Sequence, residues 1–374
     1  MAYSLSPGVT WSEIDLTTIV PSVSTTEGAF VGDFAWGPIN EVVSISNEIE
    51  LARVFHKPND SNFTSWFTAA NFLGYAESLK LVRAANVASA LNATSGNTGI
   101  LIKNDEDYDN TYKNMSAAKK YGMFVAKYAG DLGNSIRVSL FADAGNTTSF
   151  NQWAYYANFD GKPGTSNYVL NHRGANDEMH ILVVDYNGLI SGTANTILEK
   201  FSYLSKASDA KNDDGSSNYY VNVINDRSEY INILNHALVD NATYGWMSDT
   251  YSWGNTSTNT SYAQGSASYT AILTNGTVGT TLARDSDITT AYDYFDDADT
   301  YDISLIMTGA HSNTVAEYVI DNIAGGTINS PSTGRRDCVV FVSPDMADVV
   351  DNAGSEATDI VAKRDLIKIG RAHV

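Results

Sequence analysis

The segments Gly28-Ala-Phe-Val-Gly32 and Leu79-Lys-Leu-Val-Arg83 are short apolar runs, and each predicts a β-strand. Glu41-Val-Val-Ser-Ile45 predicts another strand, and Asn47 is a candidate N-cap of a short helix because Glu50 follows three residues later. Further along, apolar residues recur at the spacing of one helical face: Phe63, Trp66, Phe67, Ala70 and Leu73. Residues 25–87 therefore predict an α/β unit.

The rest of the chain repeats this alternation. Further strands are predicted at 136–140, 180–184, 220–224, 303–307 and 338–342. Further helices are predicted from the stripe Ile197, Phe201 and Leu204, from Ser228 with Ile231, Leu234 and Leu238, near 287–295, and from Val315, Val319 and Ile323, with Asp345 as the cap of a final one. Residues 239–283, rich in Asn, Ser, Thr, Gly and Tyr, predict a surface excursion of loops and irregular strand. The pattern predicts an α/β fold, mixed with α+β elements, around a mostly parallel sheet.

Charge and composition limit the classes of function. The chain has 374 residues, with 43 acidic side chains against 23 Lys and Arg, for a net charge of -20. So acidic a surface repels phosphate backbones and argues against a nucleic-acid groove. The single cysteine, Cys338, excludes an internal disulfide framework and any cluster of cysteine ligands, and lies in an apolar strand that predicts an inert thiol. No apolar run approaches the ~20 residues of a membrane span.

Motifs of known chemistry are missing from the sequence. It contains no Gly-x-Ser-x-Gly, His-Glu-x-x-His, P-loop or Gly-x-Gly-x-x-Gly pattern. Asp177-Glu-Met-His180 has metal-ligating residue types, but its position before a strand favours a solvated loop. We therefore predict no catalytic residues, no metal and no cofactor, and a protein that is not an enzyme.

An acidic run lies between Arg284 and Arg335, where the sequence has no Lys or Arg. Its central members are Asp293, Asp296, Asp297 and Asp299. The run lacks the Gly and Glu positions of a calcium-binding EF-hand loop. Either these carboxylates form a solvated helix face and turn, or they face a basic neighbouring molecule.

Residues 1–24 have the pattern of an extended arm. Val9 and Trp11 alternate with polar residues after the turn Ser6-Pro7-Gly8, and Ile14 and Leu16 alternate on the opposite parity. A strand needs a partner, which is either the edge of the chain's own sheet or a neighbouring subunit. The candidate inter-subunit residues are Pro7, Gly8, Val9, Trp11, Ile14 and Leu16.

Several segments together carry a family resemblance: Leu5-Ser-Pro-Gly-Val9, Val31-Gly-Asp-Phe-Ala-Trp-Gly-Pro38, Asn47-Glu-Ile-Glu-Leu51, Ala70-Asn-Phe-Leu-Gly-Tyr75, Leu81-Val-Arg-Ala84, Tyr128-Ala-Gly-Asp-Leu-Gly133 and Arg336-Asp-Cys-Val-Val-Phe-Val-Ser-Pro344. Because these segments occur together in this order and at this spacing, the chain resembles the contractile tail sheath protein of T4-like bacteriophages (myoviruses). The match is specific over residues 5–87, looser over 88–284 and firm again near 303–344.

The resemblance implies a structural subunit of the virion tail, assembled in the bacterial host cytoplasm. Such subunits polymerise as stacked rings around a tail tube, and contraction drives the tube through the host envelope. The implied partners are further copies of the chain, the tail tube protein, and the baseplate and tail terminator proteins, with no direct contact to nucleic acid and no membrane insertion. By this resemblance the arm pairs with a neighbouring subunit. From charge alone we expect the acidic patch Asp293, Asp296, Asp297 and Asp299 to face the tube, because subunits this acidic repel one another unless a partner supplies Lys or Arg.

The same resemblance implies a multi-domain tail-sheath fold. Residues 1–24 would form the arm, 25–87 with 285–368 an α/β core domain, and 88–284 an inserted outward-facing domain. Family members normally continue further, so we expect the C-terminal part of the core to be truncated and residues 369–374 to be a non-native tail.

Two other functions compete with this interpretation. The Asn/Ser/Thr/Tyr-rich stretch 239–283 would suit a receptor-binding or adhesin-like virion surface protein, although such proteins usually show all-β repeats and this sequence has none. An α/β enzyme is compatible with the alternating strands, but a fold does not give a function.

Overall fold

The computed structural model describes residues 26–113, 115, 120–234, 252–262, 268–279, 283–325, 334–350 and 354–367. The strands are β1 Gly28–Asp33, β2 Val42–Ile45, β3 Leu79–Ala84, β4 Phe124–Ala126, β5 Ile136–Phe141, β6 Glu178–Asp185, β7 Thr196–Ser205, β8 Ile231–Ile233, β9 Ser268–Ile272, β10 Leu305–Met307 and β11 Val339–Phe341. The helices are α1 Glu48–Phe55, α2 Phe63–Leu73, α3 Asp105–Asp107, α4 Thr147–Gln152, α5 Asn167–Asn171, α6 Tyr220–Arg227, α7 Asp285–Tyr292, α8 Asn313–Tyr318, α9 Met346–Val349 and α10 Glu356–Leu366. The arm residues Pro7 to Leu16 and the tail 369–374 lie outside the described residues.

The first sheet has five strands in the order β11-β10-β1-β3-β2, and we call it the parallel sheet. Strands β11, β10, β1 and β3 run parallel, and β2 is antiparallel to β3. Phe30 of β1 lies opposite Leu81 of β3 on one side and Met307 of β10 on the other. The predicted mostly parallel sheet is confirmed for this part of the chain.

Helices cover both faces of the parallel sheet. Because side chains alternate along a strand, Phe30 and Leu81 point to one face, where they pack with Leu51 of α1 and Trp66 of α2. On the opposite face a second apolar cluster joins the sheet to α7 and α8: Val31, Val82, Ile288, Tyr292 and Val315. Burial on both faces is the usual reason why parallel strands are almost continuously apolar.

The two predicted N-terminal helices are present, and one of their predicted details is wrong. The Asn47 side chain accepts a hydrogen bond from the Glu50 backbone nitrogen at 2.9 Å, which confirms the predicted cap of α1. In α2, Trp66 is buried, but Phe63 and Phe67 are 51% and 49% exposed. The sheet contacts α2 along the line of Trp66 and Ala69, and the predicted apolar face is wider than that contact.

The second sheet, which we call the antiparallel sheet, has four strands in the order β7-β6-β5-β9. The helix predicted over 197–204 is wrong, because these residues form β7. Its pairing with β6 shifts register between Met179 and Ile181 and again between Val183 and Val184. Each shift places an extra residue in β7, which destroys the period-2 alternation by which a strand is recognised. Within the stretch 239–283, for which loops and irregular strand are predicted, residues 268–272 form the regular strand β9, which pairs with β5.

Residues 220–233 reverse the predicted order of strand and helix. The predicted strand 220–224 is the start of α6, in which Tyr220, Val223 and Ile224 are buried at helical spacing. In its described part the predicted helix after Ser228 is instead β8, which pairs with β4, and Leu238 lies outside the described residues. The Ser228 hydroxyl does accept a hydrogen bond from the Ile231 backbone nitrogen at 3.0 Å, as a helix cap would. The residues that follow this turn form a strand and not a helix. Local β-branched composition is overruled here by packing.

Strands β4 and β8 form a separate two-stranded sheet, and one buried side chain links the parallel sheet to the segment between β4 and β5. Arg83, in β3, donates from Nη1 to the Gly37 carbonyl at 2.7 Å and from Nη2 to the Ala129 carbonyl at 2.8 Å. Trp36 meets the Tyr128 ring edge-on, with centroids 5.4 Å apart. The parallel sheet takes its strands from 28–84 and 305–341 and the antiparallel sheet from 136–272, and the fold is a mixed α/β fold as predicted. The domain boundaries stay a prediction.

Candidate functional site

The most exposed part of the parallel sheet is its β11 edge, by which we mean Val339–Phe341. Among the described residues β11 pairs with β10 alone. Val339 and Phe341 are each 54% exposed. A strand edge with unpaired backbone groups and exposed apolar side chains is a template for pairing with another polypeptide.

The hydrogen bonds of β11 show which backbone groups point outward. The Val339 nitrogen donates to the Ser304 carbonyl at 2.9 Å, and the Phe341 carbonyl accepts from the Thr308 nitrogen at 3.0 Å. Since backbone groups alternate in direction along a strand, the N–H and C=O of Val340 face the open side. As far as the described residues go, the β11 edge therefore offers one donor and one acceptor for an added strand.

The segment after β11 also carries exposed apolar side chains, among them Met346 and Val350 at α9 and Leu366 in α10. The Lys363 ammonium holds the two helices together through an ion pair with Asp345 at 2.8 Å. Helix α9 begins after Asp345 as predicted, but the Asp345 side chain binds Lys363 and makes no cap hydrogen bond.

The acidic patch, Asp293, Asp296, Asp297 and Asp299, lies between α7 and β10. Asp293 accepts a hydrogen bond from the Tyr318 hydroxyl at 2.6 Å, and Asp297 accepts from the Asp299 nitrogen at 2.9 Å. Three of the four side chains are exposed, whereas Asp296 is half-buried. Burial, together with the neighbouring carboxylates of Asp293 and Asp297, raises the pKa of Asp296.

A buried arginine that the sequence analysis missed lies beneath this patch. Arg335 donates to the carbonyls of Phe295 at 3.0 Å and Tyr301 at 2.7 Å, and it forms an ion pair with Asp337 at 2.8 Å. It therefore fixes the backbone of the acidic segment from inside. The sequence offered one signal for a role of Arg335 in the acidic segment: it is the first Lys or Arg after Arg284 and so ends the acidic run.

The solvated loop predicted over 177–180 is wrong, because Glu178 and His180 belong to β6 and both Asp177 and His180 are fully buried. Asp177 and His180 have structural partners instead. Asp177 accepts hydrogen bonds from the hydroxyls of Ser166 and Ser205. The His180 Nε2 donates to the Gly161 carbonyl at 2.9 Å, its Nδ1 accepts from the Tyr203 nitrogen at 3.1 Å, and burial lowers its pKa to about 4. Over the described ranges no group of three or more His, Cys, Asp or Glu side chains is arranged to hold a metal ion.

Cys338 lies just before β11 and is half-buried. Burial raises the pKa of its thiol to about 11, so the thiol is protonated at neutral pH and a poor nucleophile. In the part of the chain that the structure describes, no helix combines the length and apolarity needed to cross a bilayer.

Three curated proteins match the sequence, and all are named tail sheath protein. The relative from Salmonella phage ViI is 30% identical over 197 residues, which are 52% of this chain and 28% of the relative. The relative from Vibrio phage KVP40 is 40% identical over 90 residues, which are 24% of this chain and 13% of the relative. That of Enterobacteria phage T4 is 33% identical over 90 residues, which are 24% and 14% of the two chains.

Over these regions the chain is similar in sequence to the tail sheath proteins of the three phages. The resemblance predicted from its segments is confirmed. The matched regions span less than a third of the length of these tail sheath proteins, so the comparison concerns part of each relative.

Solved tail sheath structures also align with the chain. A sheath tail protein from Listeria innocua has a TM-score of 0.40 at 12% identity, covering 79% of this chain and 43% of that one. One from Desulfitobacterium hafniense has a TM-score of 0.37 at 11% identity, covering 90% and 56%. No protein-family model matches the sequence.

Proposed function

We propose that this chain is a structural subunit of a bacteriophage contractile tail sheath, which polymerises around the tail tube and contracts to drive it through the host envelope. The observation that carries the proposal is its sequence similarity to three phage tail sheath proteins. The open β11 edge supports it, because a polymer subunit needs surfaces that another chain completes. The role is structural, and we assign no catalytic step to it.

The proposed partners are further copies of the chain, the tail tube protein, and the baseplate and terminator proteins, in the virion tail. Within this scheme residues 1–24 pair with a neighbouring subunit, and 25–87 with 285–368 form the core from which 88–284 project as an inserted domain. The alternation of Val9/Trp11 and of Ile14/Leu16 supports strand pairing by the arm. Contraction then moves subunit bodies as rigid units.

Assembly through the β11 edge is testable with one substitution. Val340→Pro removes the outward backbone donor and leaves the bonds of Val339 and Phe341 to the β10 side, since proline is tolerated at an edge. Val340→Thr is the matched control because it keeps the N–H. We expect concentration-dependent association, measured by sedimentation velocity and electron microscopy, to be lost in Val340→Pro and kept in Val340→Thr, with both folded by circular dichroism. Equal association of the two variants would exclude this edge as the contact.

The arm is tested separately. In a full-length sheath protein, deletion of residues 2–20 should leave a folded monomer that forms no tubes. Normal tubes from that deletion would contradict pairing by the arm.

The acidic patch is proposed to face the tail tube. An exposed ionic contact weakens as the screening length falls from about 10 Å at 0.1 M salt to roughly 3 Å at 1 M. We therefore expect intact tails to contract as salt rises, before any subunit unfolds. Contraction that stays independent of salt up to unfolding would remove the patch from the contact.

A further inference from the structure

A polar cavity of about 230 Å³ lies beside the antiparallel sheet. Its wall includes Glu178 at the start of β6, Tyr203 of β7, Asn167 of α5, and Lys211 and Asp213 from the segment that follows β7. Its volume is below the roughly 300–1,000 Å³ of pockets for drug-sized molecules, so it has room for one small ligand.

The polar groups of this cavity are within reach of a ligand. Asn167, Lys211 and Asp213 are exposed, and Glu178 and Tyr203 are half-buried. No residue of the lining, all of which the structure describes, has a buried side-chain donor or acceptor that lacks a partner. A ligand in the cavity therefore replaces water at these groups and does not have to enter the protein interior.

Tyr203 has a strained backbone. Its φ is 55°, in the left-handed region that a bulky side chain rarely adopts. It lies at one of the two register shifts of β7, where Ser202 and Tyr203 together face the single residue His180. The His180 Nδ1 accepts from the Tyr203 nitrogen at 3.1 Å, and the Asn218 Nδ2 donates to the Tyr203 carbonyl at 3.0 Å. Strain that surrounding contacts maintain in this way is concentrated at ligand sites, where bulges redirect side chains.

Glu178 is also held in one orientation. Its Oε2 accepts a hydrogen bond from the Gly164 nitrogen at 2.8 Å. Its Oε1 has no hydrogen-bond partner among the described residues and is not sealed from solvent. One oxygen therefore fixes the side chain, and the other is available as an acceptor.

Acceptors and donors occur together at this cavity. Glu178 and Asp213 supply acceptor oxygens, Lys211 supplies donors, and the Asn167 amide supplies both. An oxyanion would meet two carboxylates against one ammonium group. An organic ammonium ion has donors alone and cannot accept from Lys211 or Asn167. A hydroxyl group donates and accepts at once, so a polyhydroxylated molecule matches this set of groups.

We propose that this cavity binds a monosaccharide unit. The sugar hydroxyl groups donate to Glu178 Oε1 and Asp213 and accept from Lys211 and Asn167, and the sugar C–H groups pack on the Tyr203 ring, which offers an apolar face. The proposal goes beyond the role in the sheath and does not depend on it, because every group belongs to one chain.

Titration of the full chain with D-glucose, D-galactose or N-acetyl-D-glucosamine, followed by saturation-transfer NMR, tests the site. Putrescine and sodium phosphate, the probes for an amine and an oxyanion, are added as competitors. We expect saturable binding of at least one sugar with a dissociation constant of about 1 mM, which suits a ligand of about twelve heavy atoms in a half-open cavity. Neither competitor should displace it. Absence of saturable binding for all three sugars, or displacement by putrescine or phosphate, would overturn the proposal.

Variants locate the site. Glu178→Gln keeps an oxygen for the Gly164 nitrogen and removes the charged acceptor, and Lys211→Gln removes a charged donor at the exposed rim. We expect sugar binding to weaken about tenfold in Glu178→Gln and about threefold in Lys211→Gln, because a half-buried charged hydrogen bond contributes more than an exposed one. Glu106→Gln, an exposed change outside this cavity, is the control and should bind as the parent does. Unchanged binding in both cavity variants would place the sugar elsewhere and overturn the proposal.

A last variant separates a binding role of Tyr203 from a purely structural one. Tyr203→Asn removes the ring and introduces a residue type that tolerates a φ of 55°. We expect sugar binding to be lost while the circular dichroism spectrum and the melting temperature stay close to those of the parent. A large fall in melting temperature with sugar binding kept would show that the bulge serves the fold, and would overturn the assignment of Tyr203.

Discussion

The parallel and antiparallel sheets differ in how completely the chain covers them. In the antiparallel sheet β5 and β6 are buried on both faces, on one side by α6 and on the other by an aromatic layer that includes Phe150, Trp153 and Phe159. In the parallel sheet the central strands β1 and β3 are equally buried. The outer strands of both sheets carry exposed side chains, and the difference is one of degree: Val339 and Phe341 of β11 are each 54% exposed, against 38% for Ile197 of β7 and Ile272 of β9.

The strands β5 and β6 of the antiparallel sheet are enclosed by the chain's own side chains, whereas the parallel sheet ends at β11, whose apolar side chains are largely exposed. Buried aromatic and aliphatic side chains contribute to the stability of the chain alone, since burial removes their apolar surface from water. Exposed ones at a strand edge contribute little until another chain covers them. The parallel sheet is therefore where we expect assembly, and the antiparallel sheet where we expect intrinsic stability.

The largest effect should distinguish two phenylalanines, one in each sheet. Phe141 of β5 is completely buried, and Phe341 of β11 is 54% exposed. Phe141→Ala should lower the free energy of unfolding by about 3–5 kcal/mol because it leaves a cavity. Phe341→Ala should lower it by about 1 kcal/mol or less. Urea denaturation followed by tryptophan fluorescence measures both, and equal losses would contradict the contrast between the sheets.

The next effect concerns the arginine that links the parallel sheet to the segment between β4 and β5. Arg83→Met removes two hydrogen bonds, to Gly37 and Ala129, and leaves both carbonyls without their donor. We expect a loss of about 2–4 kcal/mol in the free energy of unfolding, since each buried unsatisfied group costs about 1–3 kcal/mol. Arg53→Met is the matched control, because Arg53 is exposed and its ion pair with Glu229 is worth about 1 kcal/mol or less. A cost no larger than that of the control would show that Arg83 does not stabilise this link.

Acid should act on the two regions with opposite signs. Burial lowers the pKa of His180 to about 4 from 6.5, so the unfolded chain binds the extra proton and stability falls as the pH drops from 6.5 to 4. Burial raises the pKa of Asp33 to about 6 from 3.8, so the folded chain binds the proton first and stability rises as the pH drops from 6 to 3.8.

Stability curves between pH 4 and 7.5 for His180→Gln and Asp33→Asn measure these two contributions. Relative to the parent, His180→Gln should lose less stability on acidification, and Asp33→Asn should lose more. Parallel curves for the parent and either variant would remove that group from the pH dependence.

The smallest effect is expected in the acidic patch. Asp297→Ala removes the acceptor of the Asp299 nitrogen and the Thr300 hydroxyl, and should lower the melting temperature only slightly because this carboxylate is fully exposed to water. Asp299→Ala, an exposed change in the same patch, should cost about 0.5 kcal/mol or less. Thermal unfolding measures both, and a large fall in melting temperature for either would mean that the patch serves the subunit's own fold and not a partner.

Short-range sequence patterns predicted a strand or helix correctly where the spacing of its apolar residues continues without interruption from one end of the element to the other. The strands at 28–33 and 79–84 and the cap of α1 at Asn47 follow from local spacing, and the structure has them as predicted. The pattern failed in β7, where two register shifts destroy the alternation, and in α6, whose β-branched residues are forced into a helix by the core they enter. Both failures have the same cause: long-range packing outweighs local preference.

The candidate sites depended still more on tertiary structure. The sequence placed a strand at 338–342 but could not show that it lies at the edge of a sheet, because an edge is a property of strand order. It likewise gave no sign that the buried guanidinium of Arg83 would hold the carbonyls of Gly37 and Ala129.

The sequence by itself determined the α/β class, the acidic charge and the relationship to phage tail sheath proteins, because composition and spacing are carried by neighbouring residues. Only the tertiary structure decided which strands are enclosed, which edge is open and which carbonyls the buried guanidinium of Arg83 holds. These properties depend on contacts between residues far apart in the chain, as Arg83 and Ala129 or Ile306 and Val340 are, and no local pattern records them.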